Sequence, residues 1–246
     1  MQFRLRMFRL HLVASASVLT FVLGLLYLGW YHWPGWYLAA VARVVVVMAG
    51  VDVALGPLLT LVVSDPGKER RTLARDLTVI VAMQLLALVY GSAQLWSGRP
   101  LYYVFSGGIL QIVQAYDLDR SDTALAQQRQ LELAPHWYSL PRWVYAPTPA
   151  PAPAPTAAVA AADYSVMPSG YQAWERGIGE LREKLQPVES LGFFIFNERA
   201  SLQARMRAAG LHPEQRNAVP MTGRGRPVLV VFEPETMRTV AILKAL

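Results

Sequence analysis

Three long apolar runs in the first hundred residues constrain the fold more than any other feature of the chain. Residues 10–30 carry no charged side chain over about 21 positions, roughly 31 Å of helix at 1.5 Å per residue, which matches the hydrocarbon core of a bilayer. A second run covers 36–63, and a third covers 77–96 with Gln84, Ser92 and Gln94 as its only clearly polar side chains. Backbone in lipid must satisfy its own N–H and C=O groups, so each run is expected to be a spanning helix. Composition agrees, because only 16% of the residues are charged, against about 25% in an ordinary soluble domain, and mean hydropathy is +0.27. Arg4, Arg6 and Arg9 ahead of the first run would also suit a signal peptide. The small-residue pattern Ala14-Ser15-Ala16 lies near the start of that run rather than after it, so the run is expected to stay as an anchor.

The charges give the spans a direction. Residues 64–76 contain Lys68, Arg70, Arg71 and Arg75, whereas 31–35 contain no Lys or Arg and lie among Trp30, Tyr31, Trp33 and Trp36, an interfacial aromatic belt. The positive-inside rule therefore puts the N-terminus and the basic link in the cytoplasm and everything after residue 96 on the far side. Of the 23 basic residues eight lie in 1–96, and seven of those flank the inner face; of the 17 acidic residues four lie there. The other 15 basic and 13 acidic residues are mixed along the rest of the chain, so the net charge of +6 reflects topology, and no basic stripe suited to nucleic acid exists. With no cysteine, disulfides, thiolate metal sites and cysteine nucleophiles are excluded.

After Arg99-Pro100 the pattern changes to β type. Segments 101–105 and 109–116 around Ser106-Gly107-Gly108 predict a hairpin, and the polar, Gln-rich 117–133 predicts a helix capped by Ser121 or Asp122. The alternating Ala and Pro of 146–155, continued to 162, predict an extended polyproline II linker or insertion. From 169, Trp174, Ile178, Leu181 and Leu185 share one helical face until Pro187. A strand over 191–196, a helix over 198–209 capped by Asn197 and ended by Gly210, and a second hairpin from 227–232 and 237–243 complete the chain. The expected division is a membrane domain 1–96, a first part of an α+β module 97–145, the linker 146–162 and a second part 163–246. The fold class is a membrane protein with three transmembrane α-helices followed by an exported α+β domain with two hairpins.

No catalytic, cofactor or metal site is expected. His11, His32, His136 and His212 fall in four segments without ligand spacing. Gly223-Arg224-Gly225-Arg226-Pro227 lacks the helix N-terminus that a phosphate loop needs and reads as a loop entering a strand. Asp117, Asp119 and Asp122 lack the Gly and Glu of a calcium loop, and Ser106 lacks a Gly-x-Ser-x-Gly setting. The anomaly is Asp52, in the middle of a lipid-spanning run, where a carboxylate costs about 2.5–3.5 kcal/mol on insertion scales. Arg43, nine positions earlier, falls on the opposite side of an ideal helix and about 13 Å along it, so the two do not pair within one straight helix. Asp52 can pack against Gln84 or Gln94 within the bundle, recognise a polar group on a partner helix, or relay protons. Gly50 and Gly56 allow close helix approach, and Pro57 can kink the span.

The string Ala49-Gly50-Val51-Asp52-Val53-Ala54-Leu55-Gly56-Pro57-Leu58-Leu59-Thr60-Leu61 resembles the TfpX/TfpZ family of type IV pilin accessory proteins. So do Arg75-Asp76-Leu77-Thr78-Val79-Ile80, the stretch 84–91, Arg99-Pro100 and Val104-Phe105. The resemblance runs over 1–115, with a looser likeness in the tail hairpin and with the Ala-Pro tract as an insertion. It implies a non-enzymatic helper of the bacterial inner membrane whose C-terminal domain is periplasmic. Its implied partner is a type IV pilin subunit, whose stability, assembly or dynamics it assists, with membrane lipid as its surroundings and no small-molecule substrate. On that reading Asp52 or Arg43 meets polar groups of the pilin's membrane helix, with Gly50, Gly56 and Pro57 shaping the contact. The competing expectation is a small oligomeric proton-coupled transporter or channel built on Asp52.

Overall fold

The structure, a computed structural model, describes residues 1–148, 163–188, 190–191, 204, 206–208, 210, 212 and 214–244. The linker beyond residue 148, the strand expected over 191–196 and the helix expected over 198–209 with its Asn197 cap lie wholly or mostly outside the described residues. The described chain forms two compact units, one of Met1–His32 with Val41–Gly98 and one of Trp33–Ala40 with Arg99–Leu246.

In the first unit, helix α1 (Gln2–Leu26) continues into a π-helical turn, Tyr27–Tyr31. A short helix, α2 (Gly35–Leu38), belongs to the other unit. The second spanning helix is α3 (Ala42–Ala49), a π-helical stretch Gly50–Leu55 and α4 (Gly56–Val63), and the third is α5 (Arg70–Ser97). Each of the three is long and apolar enough to cross a membrane. The second begins at Ala42 rather than at residue 36, because Ala40 takes a left-handed φ of 55° that ends α2, and Leu38 is buried in the sheet unit.

Pro57 explains the π-helical stretch. It has no N–H, and its ring would collide with the carbonyl four residues back, so a wider turn absorbs the mismatch and the expected kink takes this form. Two glycines bring helices together. A Cβ on Gly56 would land on the Gln84 amide, and one on Gly91 on the Met48 side chain. Gly50, expected to share this role, instead faces open space. Beyond the membrane-spanning segments, Arg4 pairs with Asp65 at 2.6 Å, and the Gly67 N–H also donates to Asp65; these hold its carboxyl below the usual carboxylate range, the Gly67 hydrogen bond foremost.

The second unit is an α+β fold on one mixed sheet. Its elements are β1 (Pro100–Ser106), β2 (Ile109–Gln114), α6 (Arg120–Gln128), β3 (Arg142–Tyr145), β4 (Gln172–Ala173), α7 (Ile178–Lys184), β5 (Gln186–Pro187), β6 (Arg216–Thr222), β7 (Val228–Phe232) and β8 (Thr239–Lys244). The strand order is β4-β3-β1-β2-β6-β7-β8, with β5 beside β6. The two expected hairpins are β1–β2 and β7–β8, the first turning through Gly107 and Gly108 at φ 59° and 89°, as a two-residue turn matched to strand twist requires. β3 lies parallel to β1, and β6 parallel to β2. Apolar side chains cover both faces: Tyr103, Phe105, Leu110 and Val230 gather with Leu38 and Leu181 on one side, Tyr102, Val104, Val113 and Tyr171 on the other.

Three expectations change. The helix placed over 117–133 is only Arg120–Gln128, and its cap is Asp119, which accepts the Asp122 N–H, rather than Ser121 or Asp122. The helix placed from 169 to 187 survives only as α7, because Gln172–Ala173 is drawn out to pair with β3, leaving 3₁₀ turns at Pro168–Gly170 and Trp174–Gly177. Ala146, expected to open the linker, is buried and extends β3 by donating to the Phe105 carbonyl.

Candidate functional site

The polar side chains of the three spans converge. Asp52 stands at the middle of the Ala42–Val63 helix and is only 4% exposed; Thr60 and Gln84 are buried too. The local backbone accounts for the meeting point. In the π-helical stretch the Gly56 N–H reaches back to the Val51 carbonyl, and Pro57, the next donor position, has no hydrogen to give. The Asp52 carbonyl is thereby left without a donor at either the fourth or the fifth following residue, and Gln84 Nε2 supplies one from α5 at 2.9 Å. Gly56 is what lets the amide come that close.

One assignment fixes the next. A carbonyl only accepts, so the Gln84 group facing Asp52 must be its NH₂, which also donates to Ser15 Oγ at 3.3 Å. Gln84 Oε1 then faces His11 Nε2 at 2.7 Å, so that nitrogen carries the proton. In a neutral ring Nδ1 accepts from the Thr60 hydroxyl at 2.5 Å. The chain Thr60, His11, Gln84, Asp52 carbonyl therefore links all three spanning helices through oriented hydrogen bonds.

The Asp52 carboxylate itself stands outside this chain. Its Oδ2 is buried without a hydrogen-bond partner, beside a cavity of about 180 Å³ lined by His11, Ser15, Asp52 and Gln84 among apolar residues. Val18, Val81 and Leu85, which are exposed on α1 and α5, also border it, so the cavity opens on the outer surface of the helices. Such an arrangement can accept a donor from a water or from an incoming side chain.

Of the residues singled out by sequence, Asp52, Gly56 and Pro57 come together here. Arg43 and Gly50 are exposed, and no ion pair joins Arg43 to Asp52 among the described residues. Gln84 rather than Gln94 is the partner of Asp52, through the main chain, while Gln94 is exposed. His11, Ser15 and Thr60 were not anticipated. The available signal was their placement: His11 and Ser15 lie four apart on one face of α1, and polar side chains within spans seldom face lipid. Among the described residues no three His, Asp or Glu side chains gather in a way that could hold a metal.

The Gly223-Arg224-Gly225 motif has a structural use in the sheet unit. The Gly225 N–H donates to the Leu38 carbonyl at 2.6 Å, and a Cβ on Gly223 or Gly225 would strike the main chain of Leu38 or Tyr37. Arg224 pairs with Asp117 at 2.7 Å and lies over the Tyr116 ring, centred 4.4 Å away.

Fold and site together define a membrane protein of three spanning helices with a polar network among them and an attached α+β domain. The chain is similar to the fimbrial assembly protein of serogroup E1 from Dichelobacter nodosus, 24% identical over 238 residues that make up 95% of this chain and 92% of that protein. It is also similar to the serogroup I fimbrial assembly protein of the same organism, 23% identical with the same coverage, and to that of serogroups C1 and C2, 29% identical over 109 residues, 44% of this chain and 83% of that protein. No known family profile matches the chain, and no solved structure does.

Proposed function

We propose that this protein is a non-enzymatic accessory of type IV pilus biogenesis in the bacterial inner membrane, which binds the pilin subunit and assists its stability or assembly. The observation that carries this reading is the end-to-end similarity to proteins named for fimbrial assembly. Topology supports it: residues Trp33–Ala40, between the first two spans, belong to the same unit as the sheet that follows the third. The basic link Lys68, Arg70, Arg71 and Arg75 falls between the other pair of spans, so the positive-inside rule assigns it to the cytoplasm and the sheet unit to the periplasm. The pilin's membrane helix meets the cavity beside Asp52, on the span that also carries Arg43, Gly50, Gly56 and Pro57.

The test is crosslinking and affinity recovery of the tagged protein from its native membrane, with mass spectrometry of what accompanies it. A pilin is expected, and its recovery falls in an Asp52→Ala variant that still inserts. Recovery of the protein only as its own oligomer would overturn the accessory reading in favour of a proton-coupled transporter or channel.

A further inference from the structure

The sheet unit carries one cluster of large side chains that breaks its own burial pattern. Trp137, Tyr138 and Leu140 are 73%, 58% and 54% exposed. They sit on a firmly held turn, not a loose tail. Gln127 Nε2 donates to the Pro135 carbonyl at 2.6 Å, the His136 N–H donates to Ser139 Oγ at 2.9 Å, and the Ser139 N–H returns to the His136 carbonyl at 3.1 Å. The His136 and Tyr138 rings stack with centroids 5.4 Å apart, and Trp137 meets Tyr138 edge-on. A rigid backbone therefore presents aromatic side chains outward at little further ordering cost.

The covalent chain limits how far they stand from the bilayer. Trp96, in edge contact with Trp30 at 4.9 Å, marks the end of the third span, since tryptophan gathers at the membrane interface. Arg99 follows three residues later, within about 11 Å of chain. Arg99 Nη2 donates to the Trp137 carbonyl at 3.2 Å, so the aromatic turn is tied to the point where the chain leaves the bilayer. The headgroup layer is roughly 5–8 Å deep on each side of the hydrocarbon core, and an indole reaches that far. Beside Trp137 a cavity of about 300 Å³ is lined by Arg99, Arg120 and His136, placing two guanidinium groups next to the aromatic ones. Aromatic and aliphatic tips beside the exposed Arg120 form the pattern of a surface that lies in an interface containing anionic lipid.

We infer that the turn bearing Trp137, Tyr138 and Leu140 is a lipid-interface anchor of the sheet unit, resting in the headgroup layer of the membrane that the spans cross. This inference rests on the spans and on Arg99, and it stands whether or not the protein binds a pilin.

The chain has no cysteine, so single-cysteine variants give clean labelling. The full-length protein carrying Trp137→Cys, Tyr138→Cys or Leu140→Cys, and Glu235→Cys as an exposed comparison site, is spin-labelled and reconstituted in vesicles of phosphatidylethanolamine and phosphatidylglycerol. Collision rates with oxygen, which concentrates in lipid, and with a neutral nickel chelate, which stays in water, are then measured. The expected result is a several-fold higher ratio of oxygen to nickel collisions at 137, 138 and 140 than at 235, increasing with phosphatidylglycerol content. Equal ratios at all four sites would overturn the inference and leave the aromatic turn as a surface for a protein partner.

Discussion

In the helical unit Phe21, Leu28, Val62 and Leu86 point outward while Asp52, Thr60 and Gln84 are enclosed; in the sheet unit Val104, Phe105, Val219 and Val230 are enclosed while Arg and Glu side chains point outward. The two halves are built from similar residue types under opposite rules, because their solvents differ. Water expels apolar surface, so the sheet unit gains from each buried methylene. Lipid has no such preference, and helices in it associate through close approach at small residues and through hydrogen bonds that lack an outside competitor. The glycines at 56 and 91 and the hydrogen bonds of Gln84 do in one unit what the apolar clusters do in the other.

The sharpest break of this comparison is a pair of identical truncations. Phe105→Ala, at a side chain with no exposure, is expected to cost the sheet unit about 3–5 kcal/mol, whereas Phe21→Ala, 67% exposed toward lipid, should leave the helical unit nearly unchanged. Hydrogen exchange on the reconstituted protein reports each unit separately, and equal losses would mean that the helices are not lipid-facing as assigned. Next in size is Asp52→Asn. A carboxylate at mid-span carries an insertion cost of about 2.5–3.5 kcal/mol, so removing its charge should raise resistance to SDS unfolding by a part of that amount, while pilin recovery falls. A loss of stability would instead make the carboxylate itself a structural tie.

How far these rules are legible in the sequence differs between the halves. The spans follow from run length alone. The hairpin at Gly107-Gly108 follows because only glycine takes both left-handed positions readily. The parallel pairings of β1 with β3 and of β2 with β6 had no local signature, since they join segments far apart in the chain. At Gln172–Ala173 a helical periodicity gives way, for the same reason, to pairing with β3. In the site, Asp52 and Pro57 announced themselves as expensive residues in lipid. Their connection through an orphaned carbonyl, and the recruitment of Gln84 and His11, depended on a π turn that no periodicity encodes.

The two glycines of the second span sharpen the account of helix association. Gly56→Ala must push aside the Gln84 amide and is expected to cost about 1–3 kcal/mol in SDS titration, with Gly91→Ala behaving alike against Met48. Gly50→Ala enters open space and gains helix propensity, so it should be neutral or stabilising by up to about 1 kcal/mol. Matching losses at 50 and 56 would show that close approach is not what Gly56 provides.

The smallest effect compares unpaired oxygens, for the sheet unit has its own counterpart to Asp52. The Tyr103 hydroxyl is buried without a hydrogen-bond partner, with its ring 5.0 Å from that of Trp143, and burial pushes its pKa from about 10 up to about 12. Tyr103→Phe removes an unsatisfied group and should be neutral or stabilising by about 1 kcal/mol at neutral pH. Between pH 10 and 12 the folded state keeps a proton that the unfolded tyrosine releases, so this contribution to stability is complete below pH 10 and is lost as pH rises through 12. Tyr102 and Tyr171 are raised by burial as well, so the Phe variant should flatten the alkaline decline of the sheet unit rather than abolish it. An unchanged decline in hydrogen exchange between those pH values would mean that the Tyr103 hydroxyl reaches water in the folded protein.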